Sequence, residues 1–146
     1  MTGKVLFVED NPNDLELTMH ALSQGRFMNQ IEIARDGAEA LEYVQQRGAY
    51  AHLDGEPPPR VVLLDLKLPK LSGIEVLREL KADPRTRAIP VVMLTSSAED
   101  ADLRHCYALG VNSYIVKPVD IEQFFGAIQQ LGMYWLVLNQ PPHVAQ

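Results

Sequence analysis

Cysteine occurs once in the 146 residues, as Cys106, so neither an internal disulfide nor a cysteine-based zinc site can form. That agrees with a reducing compartment. Positive charge is also in deficit: thirteen lysines and arginines face nineteen aspartates and glutamates, a net charge of −6. This balance disfavours attraction to phosphate backbones and to anionic membrane surfaces, which sets aside nucleic acid and membrane as partners. Long apolar runs are missing too. Val5–Val8 is too brief for a signal peptide, and no later run could span a bilayer. A soluble, cytoplasmic protein is expected. The four histidines, His20, His52, His105 and His143, are scattered without metal-ligand spacing. No internal repeat, low-complexity tract or composition break marks a linker, so one domain is expected over residues 1–140, followed by a flexible tail at 141–146.

What the chain does have is alternation. Short apolar runs at Val5–Val8, Ile31–Ala34, Val61–Leu64, Val91–Leu94 and Tyr114–Val116 alternate with segments of helical period. Such a pattern predicts an α/β fold: a doubly wound parallel sheet with helices on both faces. Leu15, Met19 and Leu22 share one helical face. Asp36 with Glu39, Ser72 with Glu75 and Asp120 with Gln123 each read as a capping box opening a helix. The helix from Ser72 stops near Asp83 because Pro84 follows, and Gly110 ends a fourth helix that begins after Ser97. The stretch 48–60, with Gly55 and Pro57-Pro58-Pro59, has no period and reads as a long loop. The last helix, from about residue 120, stays apolar through Met133-Tyr134-Trp135-Leu136-Val137-Leu138, more than one buried face absorbs. An apolar surplus of that kind points to an interface.

In an open parallel sheet, functional groups gather just past the carboxyl ends of the strands. There the chain places Glu9 and Asp10 after the first run, Asp65 after the third, Thr95 after the fourth and Lys117-Pro118 after the fifth. Clustered carboxylates repel, and a hard divalent cation with oxygen ligands holds them together, magnesium fitting best. The lysine and hydroxyl suit the remaining charge of a phosphoryl group. No P-loop and no GxGxxG follow the first run, where Glu9-Asp10-Asn11-Pro12 stand instead, so a nucleotide cradle is unsupported and a carboxylate is the better acceptor.

Val8-Glu9-Asp10-Asn11, Leu63-Leu64-Asp65-Leu66-Lys67-Leu68-Pro69 with Gly73, Leu94-Thr95-Ser96 and Tyr114-Ile115-Val116-Lys117-Pro118 together resemble a response-regulator receiver domain across essentially the whole chain. The resemblance implies a flavodoxin-like sheet of order 2-1-3-4-5. It implies that Asp65 accepts a phosphoryl group from the phosphohistidine of a histidine kinase. Glu9, Asp10 and Asp65 then hold Mg2+ with the backbone carbonyl of Lys67, while Thr95 and Lys117 bind phosphoryl oxygens. The Lys117–Pro118 bond is cis in that pattern. Tyr114 becomes a switch aromatic whose ring moves inward, altering the face made by the fourth helix, fifth strand and fifth helix.

The long loop before the third strand and the apolar tail narrow the likeness to the single-domain regulators that partner phytochrome-type histidine kinases. That likeness implies a homodimer, with Tyr107, Trp135 and Leu136 as interface residues, the alternative being that the tail folds onto its own domain. Relay to a histidine phosphotransfer protein is a further outlet. A Mg-dependent phosphatase of the haloacid dehalogenase class also uses an Asp after a strand, but needs a second Asp where Lys67 stands. A phosphorylation-independent binding module is the other alternative, and the complete acid, threonine and lysine set argues against it. Two positions depart from the usual pattern, Lys67 and Ser97, leaving the phosphoaspartate lifetime open.

Overall fold

The computed structural model of the chain describes residues 4–23, 30–118 and 120–141. Five strands, β1 (Val5–Val8), β2 (Ile31–Ala34), β3 (Val61–Leu64), β4 (Val91–Thr95) and β5 (Ser113–Val116), form one sheet. All neighbours run parallel in the order β2-β1-β3-β4-β5, the flavodoxin-like arrangement. Five helices join them: α1 (Pro12–Ser23), α2 (Gly37–Gln45), α3 (Gly73–Ala82), α4 (Asp100–Leu109) and α5 (Ile121–Met133).

Strand side chains alternate between the two faces, and the core divides accordingly. Leu6, Val8, Val62, Leu64, Val91 and Met93 meet α2, α3 and α4 on one face, while Val5, Phe7, Val61, Leu63, Val92 and Leu94 meet α1 and α5 on the other. β1, β3 and β4 are buried on both faces, which is why they read as unbroken apolar runs.

The expected capping boxes resolve into three outcomes. Ser72 and Glu75 make a complete one. Asp36 accepts from the Glu39 amide, but the Glu39 carboxylate returns to the amide of Arg35, one residue earlier. Asp120 accepts from the amides of Glu122 and Gln123, so it caps α5 with its own side chain.

The structure corrects the reading of residues 48–60 as plain loop. Gly48–Leu53 forms a 3₁₀ turn. Glu42 accepts from the Ala49 amide, and the Tyr50 hydroxyl donates to Glu39 at 2.7 Å, so α2 supplies the partners that periodicity could not reveal. A second correction concerns the tail. α5 passes through Gly132 and runs on into a π turn at Tyr134–Leu138 closed by the Asn139 amide on the Tyr134 carbonyl. The widened turn lets two consecutive residues, Trp135 and Leu136, both face inward, and they join the core of their own chain. Arg60 clasps the end by donating to the Asn139 carbonyl at 3.1 Å. Trp135 and Leu136 are therefore core residues here and are not presented as interface; the surface keeps Met133, Tyr134, Val137 and Leu138. The expected tail at 141–146 lies outside the described residues beyond Pro141.

Candidate functional site: an acid pocket at the strand ends

β1 and β3 are neighbours at the point where the strand order reverses, so the residues just beyond them share one crevice. The ladder carries one residue further on each: the Glu9 amide donates to Ala34 and the Asp65 amide to Val8. Both carboxylates are thus fixed by backbone before any side-chain contact forms. Gly73 brings α3 against the acceptor position. A Cβ there would lie 2.0 Å from the Asp65 carbonyl oxygen and 2.8 Å from the Leu66 Cα, so only glycine fits.

From the far side, β5 delivers Lys117, whose amide donates to the Thr95 carbonyl at 2.7 Å. Its ammonium donates to Glu9 at 2.5 Å, to Asp14 at 2.7 Å and to Asp65 at 3.2 Å, three donors meeting three carboxylates. Burial alone would lower the Lys117 pKa, but the bonds to Asp14 and Glu9 and the charge of Asp65 outweigh it and hold the ammonium protonated. Glu9 is almost fully buried, and its pKa rises to about 7, first through desolvation and then through the charge of Asp65, against the pull of Lys117.

Of the expected site residues, Glu9, Asp65 and Lys117 come together. Asp10 is exposed beside them, and no ion pair engages it among the described residues. Thr95 is buried as the last residue of β4, so it ends that strand where the sequence reading placed it just beyond. The Lys67 side chain is exposed and only its amide approaches Asp65, at 3.4 Å. The Lys117–Pro118 bond is trans, correcting the cis geometry the resemblance implied; trans is the lower-energy isomer by about 0.5–1 kcal/mol. Tyr114 is half-buried with its ring packed beside the core, and its hydroxyl donates to the Ser97 carbonyl at 2.8 Å.

Sequence reasoning missed Asp14. Asn11 caps α1 by accepting from the amides of Asn13 and Asp14, which places Asp14 in the first turn, facing the pocket. An acid five residues past Glu9, just inside a capped helix, was the available signal.

Three carboxylates, Glu9, Asp14 and Asp65, thus surround one ammonium with Asp10 next to Glu9 in the chain, and every acid donor is a hard oxygen. This set fits a divalent cation of the magnesium kind and suits neither a soft metal nor a nucleotide base. Among the described residues no group of three acids is arranged to hold a metal ion; Glu9, Asp14 and Asp65 converge on the Lys117 ammonium instead.

Residues 5–129 match the family model of the response regulator receiver domain. The chain belongs to that family. It is 44% identical over 138 residues, 94% of this chain and 86% of the relative, to the probable methanogenesis regulatory protein FilR2 of Methanothrix harundinacea. To the response regulator Rcp1 of Synechocystis sp. it is 38% identical over 132 residues, 90% of this chain and 88% of the relative. The Mn(2+)-bound form of Rcp1 superimposes with a TM-score of 0.87, covering 97% of this chain and 99% of that one at 36% identity. The phosphorylated cyanobacterial phytochrome response regulator RcpA gives a TM-score of 0.89 at 38% identity, covering 98% of this chain and all of its own. A family relationship at this coverage accounts for the strand order and for the place of the acid pocket.

Proposed function

We propose that this receiver domain is a phosphoacceptor switch in a two-component system, with Asp65 as the acceptor. One observation carries the reading. Asp65 stands at the end of β3 with its carboxylate shared onto a partly buried lysine that also holds Glu9 and Asp14. When a carboxylate oxygen of Asp65 attacks the phosphorus of a phosphohistidine, the P–N bond breaks and the imidazole leaves, giving an aspartyl phosphate. Lys117 then re-pairs from Asp65 to a phosphoryl oxygen, and the Thr95 hydroxyl takes another. Glu9, Asp10, Asp65 and the Lys67 carbonyl are the residues that would hold Mg2+, which when bound neutralises charge on the transferring group. The chain turns over no substrate beyond its own phosphorylation and dephosphorylation.

The partner is a histidine kinase, and the likeness to RcpA favours one of phytochrome type, with a histidine phosphotransfer protein as an alternative exchange partner. The output is a protein contact at the face of α4, β5 and α5, where Tyr107, Val116 and Ile121 are exposed, and a homodimer through that face is the favoured assembly. Among the described residues no helix is long and apolar enough to cross a membrane, and the acidic charge gives no attraction to nucleic acid, which favours a cytoplasmic setting.

The test is intact-protein mass after incubation with acetyl phosphate and magnesium. A single phosphoryl adduct is expected in the wild type, absent in Asp65→Asn and absent without metal. A folded wild type that stays unmodified would point to a phosphorylation-independent binding module, whereas donor hydrolysis that survives Asp65→Asn would point to a phosphatase.

A further inference from the structure

β4 ends at Thr95, and the chain that leaves it is gathered on one residue, Ser97. The Ser97 amide donates to the Thr95 hydroxyl oxygen at 3.3 Å, and its carbonyl accepts from the Tyr114 hydroxyl at 2.8 Å. Its own hydroxyl donates to the Asp102 carboxylate at 2.6 Å and accepts from the Glu99 amide at 3.4 Å. A hydroxyl–carboxylate bond of that length is charge-assisted and roughly twice as strong as a neutral one. Glu99, the N-cap residue of α4, makes no side-chain cap, so among the described residues the bond from Asp102 back to Ser97 is what ties the first turn of α4 to the preceding loop through side chains.

We infer that Asp102 is a positioning residue for the acceptor site, acting through Ser97. By holding the Ser97 hydroxyl it fixes the peptide groups on either side of that residue. One of them orients the Thr95 hydroxyl and the other anchors the ring of Tyr114. Release of Ser97 loosens both together, and α4 with them. A hydroxyl aimed in advance spares the transferring phosphoryl group the entropy of recruiting it, so loss of Asp102 slows phosphorylation. This rests on the phosphoacceptor reading. It adds a residue that touches neither metal nor phosphoryl group. The Tyr114 hydroxyl, whose pKa rises through burial and then through nearby charge, Asp102 foremost, reports the same proximity.

The experiment compares phosphorylation rates by acetyl phosphate with magnesium, read by intact mass, in wild type, Asp102→Asn, Asp102→Glu, Ser97→Ala and the Asp102→Asn/Ser97→Ala double variant. Asp102→Asn and Ser97→Ala should each slow the reaction about three- to tenfold. Asp102→Glu, which keeps the carboxylate, should recover most of the rate, and the double variant should be no slower than Ser97→Ala alone. Hydrogen exchange over residues 99–110 supplies a readout that needs no phosphoryl transfer, and protection there should fall in Asp102→Asn. Losses that multiply in the double variant would overturn the inference, as would wild-type rate and protection in Asp102→Asn. A wild type that forms no Asp65 adduct would remove the acceptor reading instead, and the exchange comparison would still decide whether Asp102 holds the loop.

Discussion

Helices α3 and α4 each span ten residues and pack on the same face of the sheet, yet they are anchored in opposite ways. α3 opens on a complete capping box, buries Gly73, Val76, Leu77 and Leu80, and leans its first residue against the backbone of Asp65. α4 buries Cys106 alone among its ten residues and has no side-chain N-cap. The helix beneath the acceptor is therefore held as part of the scaffold. α4, part of the proposed output face, is held lightly, and elements held by few buried contacts lie at the low-stability end of a structure. If Asp65 is the acceptor, as proposed above, its phosphoryl group would meet the firmly capped α3 on one side and the lightly buried α4 on the other.

The contrast is open to breaking by mutation. Leu77→Ala should cost about 3–5 kcal/mol in denaturant unfolding, whereas Cys106→Ala, which removes one buried heavy atom, should cost about 1 kcal/mol. Equal losses would erase the difference between the helices. Gly73→Ala should cost about 1–3 kcal/mol, since the added methyl meets backbone that must shift. It should also depress phosphorylation of Asp65, as read by intact mass; a stable variant with a normal rate would mean that α3 is no part of the acceptor's support. The smallest and sharpest test compares the N-termini. Ser72→Ala should cost about 1 kcal/mol through loss of the cap, and Glu99→Ala should stay within about 0.5 kcal/mol.

β1 and β3 were legible because burial on both faces leaves an unbroken apolar signature, and β1, β2 and β3 all fall on the runs read from sequence. Strand ends were less so. Thr95 belongs to β4 because its carbonyl accepts from Lys117 across the ladder, a partner far along the chain. The pocket was legible in Glu9, Asp65 and Lys117, since each follows a strand and topology does the gathering. Asp14 was not, because its role depends on a helical turn bringing it to a lysine 103 residues away. Tyr50 shows the same limit: its hydroxyl settles on Glu39, and no local pattern announces that pairing. In the tail, apolar content was read correctly, but a π turn reassigns Trp135 and Leu136 from surface to core, and turn width leaves no trace in composition.

Trp135 is the sole tryptophan of the chain, buried on the α1–α5 side of the sheet with Tyr134 edge-on at 4.9 Å. Its fluorescence is consequently an optical gauge installed on the face opposite α4. Emission should shift to the red when the core opens, yet hold steady while the loop after β4 and α4 rearrange on the other face. Unfolding and the proposed switch would thus have separate readouts, and a titration that moves one without the other would tell which has occurred without any label being added.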